Sequence, residues 1–134
     1  MQKTLLFFLF FLTSLSLAQT CPSVKDLKKI PTGWKLMDAD ERKPLDARRT
    51  AYFQKNAREF ALAEWEDKHN KNNAIHCYYR DRNGSNLEAF LTKNYFHPKN
   101  VSNWYHVSGA MQCAVGSEQC EFKSVTPLSQ LATK

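Results

Sequence analysis

Two histidines, an arginine and a glutamate supply the residue types that phosphodiester cleavage requires. A histidine serves as general base, a second histidine or a glutamate serves as general acid, and an arginine stabilises the developing negative charge on the phosphate. The candidates are His76, Arg80, Glu88 and His106. If the predicted strands bring them to one sheet face, a small secreted hydrolase is one interpretation of the chain.

The same predicted face carries residues that are enriched in protein interfaces, namely aromatic side chains and arginine. The candidates for binding are Tyr78, Arg80, Phe90 and Tyr105. A cross-strand ion pair between Arg80 and Glu88 on a solvated face explains two of the four catalytic candidates without catalysis. The sequence therefore favours a non-catalytic binding protein, and the hydrolase is the alternative.

Motifs for other chemistries do not occur in the sequence. The histidines lack a His-x3-His spacing and the cysteines lack a Cys-x2-Cys spacing, so we expect no metal site and no cofactor. His76 and Cys77 are neighbours that point to opposite faces of a strand. There is no Gly-x-Ser-x-Gly, and cysteines held in disulfides cannot act as nucleophiles.

A hairpin is predicted to position the candidate residues. Residues 74–80 form the clearest strand, and residues 81–85 form a turn that leads into a second strand over residues 86–92. A three-residue loop over residues 82–84, with Gly84 in the left-handed conformation, fixes the register. The residues that this register aligns on the core face are Ile75, Cys77 and Tyr79 with Leu87, Ala89 and Leu91. Those on the opposite face are His76, Tyr78, Arg80, Glu88 and Phe90.

A long helix is predicted over residues 46–67, after a charged loop over residues 38–45. Asp46 is a suitable N-cap, and apolar residues recur at helical spacing at Phe53, Ala57, Phe60, Ala61 and Trp65. Further strands are predicted near residues 104–107, 111–115 and 120–123. This order predicts an α+β fold, in which the long helix packs on an antiparallel sheet of four to five strands with two disulfides.

The beginning of the chain has the features of a secretory signal. Met1-Gln2-Lys3 carries a positive charge, residues 4–17 are mostly apolar, and Ser16-Leu17-Ala18 is a small-x-small cleavage site. We therefore interpret residues 1–18 as a signal peptide, residues 19–125 as a single domain and residues 126–134 as a C-terminal tail. The apolar run is shorter than the roughly 20 residues of a membrane span, so no transmembrane segment is expected after cleavage.

Four cysteines follow the predicted signal: Cys21, Cys77, Cys113 and Cys120. An even number in an exported chain indicates two disulfides, for which three connectivities are possible. The spacing of Cys113 and Cys120 suits a cross-strand disulfide over a turn, which favours pairing Cys21 with Cys77.

The formal net charge of +6 attracts acidic partners through long-range electrostatics. Candidate partners are an unidentified protein or an anionic surface, either lipid headgroups or polysaccharide. Lysines and arginines are interspersed with acids, and no RNP-type or helix-turn-helix pattern is visible, so nucleic-acid binding is not expected.

Several short motifs resemble small uncharacterised exported domains of Gram-negative bacteria. They are Cys21-Pro22, Gly33-Trp34, the predicted long helix, the segment from Ile75 to Tyr79, and Cys113 to Cys120-x-Phe122. The resemblance implies residence in the periplasm, or onward secretion through a type II system. It implies no activity for any residue.

Overall fold

Eight β-strands and one α-helix make up most of the regular structure in residues 18–66 and 72–125, which a computed structural model of the chain describes. The helix α1 spans Ala47–Asn56, and short 3-10 helices span Val24–Lys28 and Val101–Asn103. The strands are β1 (Lys35–Asp38), β2 (Glu59–Glu66), β3 (Ile75–Arg80), β4 (Asn86–Lys93), β5 (Phe96–Pro98), β6 (Tyr105–Val107), β7 (Ala110–Cys113) and β8 (Phe122–Ser124). The predicted signal peptide, apart from Ala18, and the predicted tail lie outside the described residues.

The predicted α+β fold is wrong, because the described chain is mostly β. Six strands form one antiparallel sheet in the order β1-β4-β3-β2-β7-β6, and β5 pairs with β8 in a second, two-stranded sheet. The only α-helix in the described ranges has ten residues. It ends well before the predicted boundary, and within the described residues no long helix packs on the sheet.

The second half of the predicted helix is strand β2. At the end of α1, Ala57 adopts an extended backbone conformation, and the N–H of Arg58 donates to the carbonyl oxygen of Arg80 at 2.8 Å. Strand β2 then pairs with β3 on one edge and β7 on the other. Glutamate, alanine and leucine favour helices by only fractions of a kcal/mol each, so pairing along both edges overrides their local preference.

Both disulfides lie beside one small residue at the centre of the sheet. Ala63 pairs with Cys77 on one side and with Cys113 on the other, so the three side chains point to the same face. Cys21 is bonded to Cys77, and Cys113 is bonded to Cys120, which confirms the favoured connectivity. The methyl group of Ala63 leaves room between the two bridges, and we call this side of the sheet the core face.

The β3–β4 hairpin confirms the predicted turn and alters the register beyond it. Gly84 has a φ of +79°, and the N–H of Asp81 donates to the carbonyl oxygen of Ser85 at 2.9 Å. Arg80 pairs with Asn86 as predicted, but a bulge then shifts the pairing by two residues, so that Cys77 pairs with Leu91. Because an even shift preserves the alternation of side chains, each residue stays on its predicted face.

Helical segments and the small sheet cover the core face. Phe53 of α1 makes an edge-to-face contact with Tyr79, with ring centroids 5.8 Å apart, and Leu27 of the first 3-10 helix is fully buried. Phe96 and Phe122 of the two-stranded sheet pack on each other at 5.0 Å. The contact with Phe53 holds Tyr79 of β3 on the core face, and the residues that alternate with Tyr79 therefore point to the opposite face.

Candidate functional site

The face of the six-stranded sheet opposite the disulfides has no helix over it in the described residues, and we call it the open face. One continuous row of paired residues crosses it from β6 to β4. The row is Tyr105, Gln112, Glu64, His76 and Thr92. Its polar side chains are only partly buried, apart from Tyr105, which is exposed. Strand pairing thus collects polar groups from distant parts of the chain on one surface.

His76 is the most strongly perturbed polar group on the open face. Its ring packs on Phe90 with centroids 4.5 Å apart. Burial lowers the pKa of His76 from 6.5 to about 4, an effect that nearby Glu66 opposes and Arg42 reinforces. Within the described residues its Nδ1 atom is buried and has no hydrogen-bond partner. The imidazole is therefore neutral at pH 7 and incompletely satisfied.

Two glutamates of β2 flank His76. Glu64 lies directly opposite His76 in the β2–β3 pairing, and Glu66 lies two residues further along β2 on the same face. The side-chain N–H of Gln112 donates to Glu64 Oε2 at 2.7 Å, and Arg42 Nη2 donates to Glu66 Oε1 at 3.1 Å. Each carboxylate is thereby held in a defined orientation beside the imidazole.

Tyr78 extends the same surface toward β4. Its ring lies 5.5 Å from that of Phe90, and Leu62 is its pairing partner on β2. Burial and the negative charge of Glu64 raise the pKa of Tyr78 to about 12. The phenol thus keeps its proton at neutral pH and can act as a hydrogen-bond donor.

The segment between β1 and α1 places Arg42 beside the open face. Its fold depends on Asp38, whose carboxylate accepts hydrogen bonds from the backbone N–H groups of Asp40 and Glu41, both at 2.8 Å, and from Arg49. The Glu41 N–H and the Arg49 guanidinium hold the pKa of Asp38 below its usual value. The charged loop predicted over residues 38–45 is therefore a structured turn, which Asp38 organises from a buried position.

Two adjoining clefts open onto this surface. The first has a volume of about 370 Å³ and is lined by residues that include Leu62, Glu64, Tyr78, Glu88 and Gln112. The second, of about 430 Å³, lies between β2 and the β6–β7 hairpin and is also lined by Glu64 and Gln112. Glu64 and Gln112 form the boundary between the clefts and are accessible from both.

The four catalytic candidates do not converge on one point. His76 and Arg80 are four residues apart on one strand, a separation of about 13 Å. Arg80 donates to Glu59 at 3.3 Å and to Asn86 at 3.4 Å, instead of pairing with Glu88. His106 is paired with Met111 and so belongs to the core-face row, on the other side of the sheet from His76. This geometry provides no base, acid and phosphate clamp around a common centre.

The binding candidates divide into buried and accessible residues. Phe90 is only 3% exposed, so it presents little surface to a partner. Its ring packs against those of His76 and Tyr78. Tyr105 is 48% exposed at the edge of the open face. Tyr78 is partly buried in the wall of the first cleft, and Arg80 lies at the end of β3.

Four residues of the open face were not predicted from the sequence: Arg42, Glu64, Glu66 and Gln112. The predicted helix over residues 46–67 obscured the two glutamates, which alternate with Ala63 and Trp65 in a period of two. That alternation is the signal that would have placed Glu64 and Glu66 on one face of a strand. No local pattern relates Arg42 or Gln112 to them, because both contacts depend on tertiary structure.

Comparison with protein-family models, with curated proteins and with solved structures finds no match to this chain. The two disulfides are consistent with an extracellular or periplasmic protein. Among the described residues, no helix has the length and apolar character needed to cross a membrane.

Proposed function

We propose that this chain is an exported, disulfide-stabilised binding protein of the bacterial envelope or extracellular space, that it has no catalytic role, and that it binds a protein partner on the open face. The observation that carries the proposal is the first cleft, a concavity of about 370 Å³ lined by Leu62, Tyr78 and the fixed carboxylate of Glu64. Binding sites commonly combine an apolar wall with a few oriented polar groups.

The polar groups of this cleft are oriented before a partner arrives. Gln112 holds Glu64 at 2.7 Å, and Tyr78 packs on the buried ring of Phe90. Ordering a free side chain on binding costs about 0.5–1.5 kcal/mol, and a pre-ordered side chain avoids most of that cost. The open face is thus suited to recognition without rearrangement.

The distribution of charge favours a protein over an anionic surface as the partner. Glu64, Glu66 and Glu88 place negative charge along the clefts of the open face. Exposed lysines lie in the helical segments at Lys25, Lys28 and Lys55, and Lys35 lies on β1 at the edge of the open face, outside the residues that line the clefts. Lipid headgroups or acidic polysaccharide would be attracted to the helical side, whereas a partner with basic and apolar groups complements the open face.

Site-specific photo-crosslinking in the native host tests this proposal. A photoreactive phenylalanine analogue replaces Tyr105, which is 48% exposed beside the open face, or Tyr52, which is 63% exposed on α1. We expect the Tyr105 position to yield a discrete protein adduct in the periplasmic or culture fraction. The Tyr52 position should yield none.

The matched tyrosine positions separate the alternatives. A protein adduct only at Tyr52 would move the binding surface to the helical side, and so would lipid or polysaccharide adducts there. Absence of adducts at both positions would contradict the proposed binding function.

Mass spectrometry of the exported chain tests the proposed export. We expect the exported chain to begin at Gln19 with both disulfides formed.

A further inference from the structure

The open face contains a group of side chains that can act as metal ligands. One ring nitrogen of His76 and one carboxylate oxygen from each of Glu64 and Glu66 lie within 4.8 Å of one another. All three residues are partly buried, which limits competition from bulk water. We propose that these three residues bind a divalent transition-metal ion of the zinc type.

The backbone fixes the relative positions of the three ligands. Glu64 is the direct pairing partner of His76, and Glu66 occupies the diagonal position on the same face. Side chains on directly opposite residues start about 5 Å apart, and diagonal residues about 7 Å apart, within the reach of a glutamate. The site is therefore built on two central strands of the sheet and not on a loop.

The unsatisfied histidine is a second observation that points to a ligand. Within the described residues, His76 Nδ1 is buried and without a hydrogen-bond partner, although buried polar atoms are nearly always satisfied. Imidazole coordinates metals through an unprotonated ring nitrogen. If Nδ1 is the coordinating nitrogen, metal binding supplies the polar partner that this atom lacks among the described residues.

The ligand atoms must approach one another slightly to coordinate an ion. Zinc–nitrogen and zinc–oxygen bonds of about 2.0–2.2 Å place the ligands of a tetrahedron about 3.4 Å apart. The three atoms already lie within 4.8 Å, so the carboxylates need only small shifts from the orientations that Gln112 and Arg42 impose. Three protein ligands leave the fourth position open toward the clefts.

The mixed ligand set selects the class of metal. Calcium takes six to eight oxygen ligands, and magnesium usually retains several waters around one or two carboxylates. An imidazole combined with two carboxylates suits zinc and neighbouring transition metals better. The open face supplies this combination at Glu64, Glu66 and His76.

Arg42 occupies the position of a counter-ion in this site. Its guanidinium donates to Glu66 at 3.1 Å, while its side chain remains 58% exposed. A divalent ion bound to Glu66 would repel this positive charge, and the exposed side chain is free to swing into solvent. Arg42 therefore competes with the metal, and its removal should strengthen metal binding, an effect opposite in sign to the loss of a ligand.

Isothermal titration of the oxidised, exported protein with zinc chloride, with no affinity tag attached, tests the site. We expect one equivalent of zinc to bind. Glu66→Gln and His76→Asn should each weaken zinc binding by at least about tenfold, the loss that removal of even an outer-shell partner causes. Arg42→Gln should strengthen binding by up to about fivefold, since it removes one exposed competing ion pair.

Two control variants test whether zinc binds at this site and not elsewhere on the protein. Glu59→Gln alters another β2 glutamate that is paired with an arginine, and His106→Asn alters a histidine on the other side of the sheet. Both should bind zinc as the unmodified protein does, with unchanged circular dichroism for every variant. The inference is overturned if no stoichiometric binding occurs, or if Glu66→Gln and Glu59→Gln bind zinc equally well. The zinc titration needs no protein partner, so its result does not depend on the proposed binding function.

Discussion

The two faces of the six-stranded sheet differ sharply although they share every strand. On β3, Ile75, Cys77 and Tyr79 are fully buried on the core face, whereas His76 and Tyr78 alternate with them on the open face and are only partly buried. The core face carries both disulfides and the aromatic contacts of α1, and the open face carries the carboxylates and the clefts. Alternation along the strands therefore separates the groups that stabilise the fold from those that are available for recognition.

The largest expected loss of unfolding free energy follows the removal of a disulfide from the core face. Replacing Cys21 and Cys77 by alanine opens a loop with a sequence separation of 56, which should lower the free energy of unfolding by about 4 kcal/mol. Replacing Cys113 and Cys120, separated by 7, should lower it by about 2.5 kcal/mol. Denaturant titrations of the two double variants measure both values. Equal losses would show that loop length does not control the stabilisation.

A pair of aromatic substitutions compares the faces directly. Phe53→Ala removes a buried ring that contacts Tyr79 at 5.8 Å, and we expect the unfolding free energy to fall by about 3–4 kcal/mol. Tyr105→Ala removes a ring that is 48% exposed and should change it by no more than about 0.5 kcal/mol. Thermal and denaturant unfolding provide the measurement. A large loss for Tyr105→Ala would mean that the open face also supports the fold.

His76 lies on the open face, but we expect its protonation to change the stability of the fold. Its pKa is about 4 in the folded protein and 6.5 in the unfolded chain, so the unfolded chain binds the proton more readily between these values. Stability should therefore fall as pH decreases from 6.5 to 4, by about 3 kcal/mol at 1.36 kcal/mol per pKa unit. The measurement is denaturant unfolding at several pH values with a chelator present.

The variant His76→Asn isolates this contribution, because asparagine does not titrate. Loss of the ring contact with Phe90 lowers its stability at neutral pH, and the difference from the unmodified protein should shrink as the pH falls toward 4. The surrounding charged groups, Glu64, Glu66 and Arg42, are present in both proteins. A difference that does not vary with pH would show that burial does not perturb the imidazole.

Local patterns predicted the hairpin and the cysteine pairing correctly. The alternation of buried and polar residues in β3 and the left-handed Gly84 are encoded within a dozen residues, so they could be recognised without knowledge of the fold. The faces of His76, Tyr78 and Phe90 followed from the same alternation. No local pattern indicated the bulge that shifts the register by two residues. Strand β4 also pairs with β1, which is remote from it in sequence.

Residues 57–66 show where local patterns failed. Phe53 and Ala57 continue a helical spacing into a segment of good helix formers, and the sequence alone favours helix there. Pairing with β3 and β7 makes the segment a strand, and the two partners of Ala63, Cys77 and Cys113, lie 14 and 50 positions away in the chain. The metal-ligating group was missed for the same reason, since Glu64 and Glu66 approach His76 only across that strand pair.

The sequence by itself determined which residues of the hairpin share a face of the sheet and which cysteines are joined, because turn chemistry and strand alternation act over short distances along the chain. The tertiary structure alone decided that β2 is a strand and that Arg42, Glu64, Glu66 and His76 meet on one surface. Strand pairing and packing depend on segments remote in sequence, and their combined free energy exceeds the small helix preference of residues 57–66.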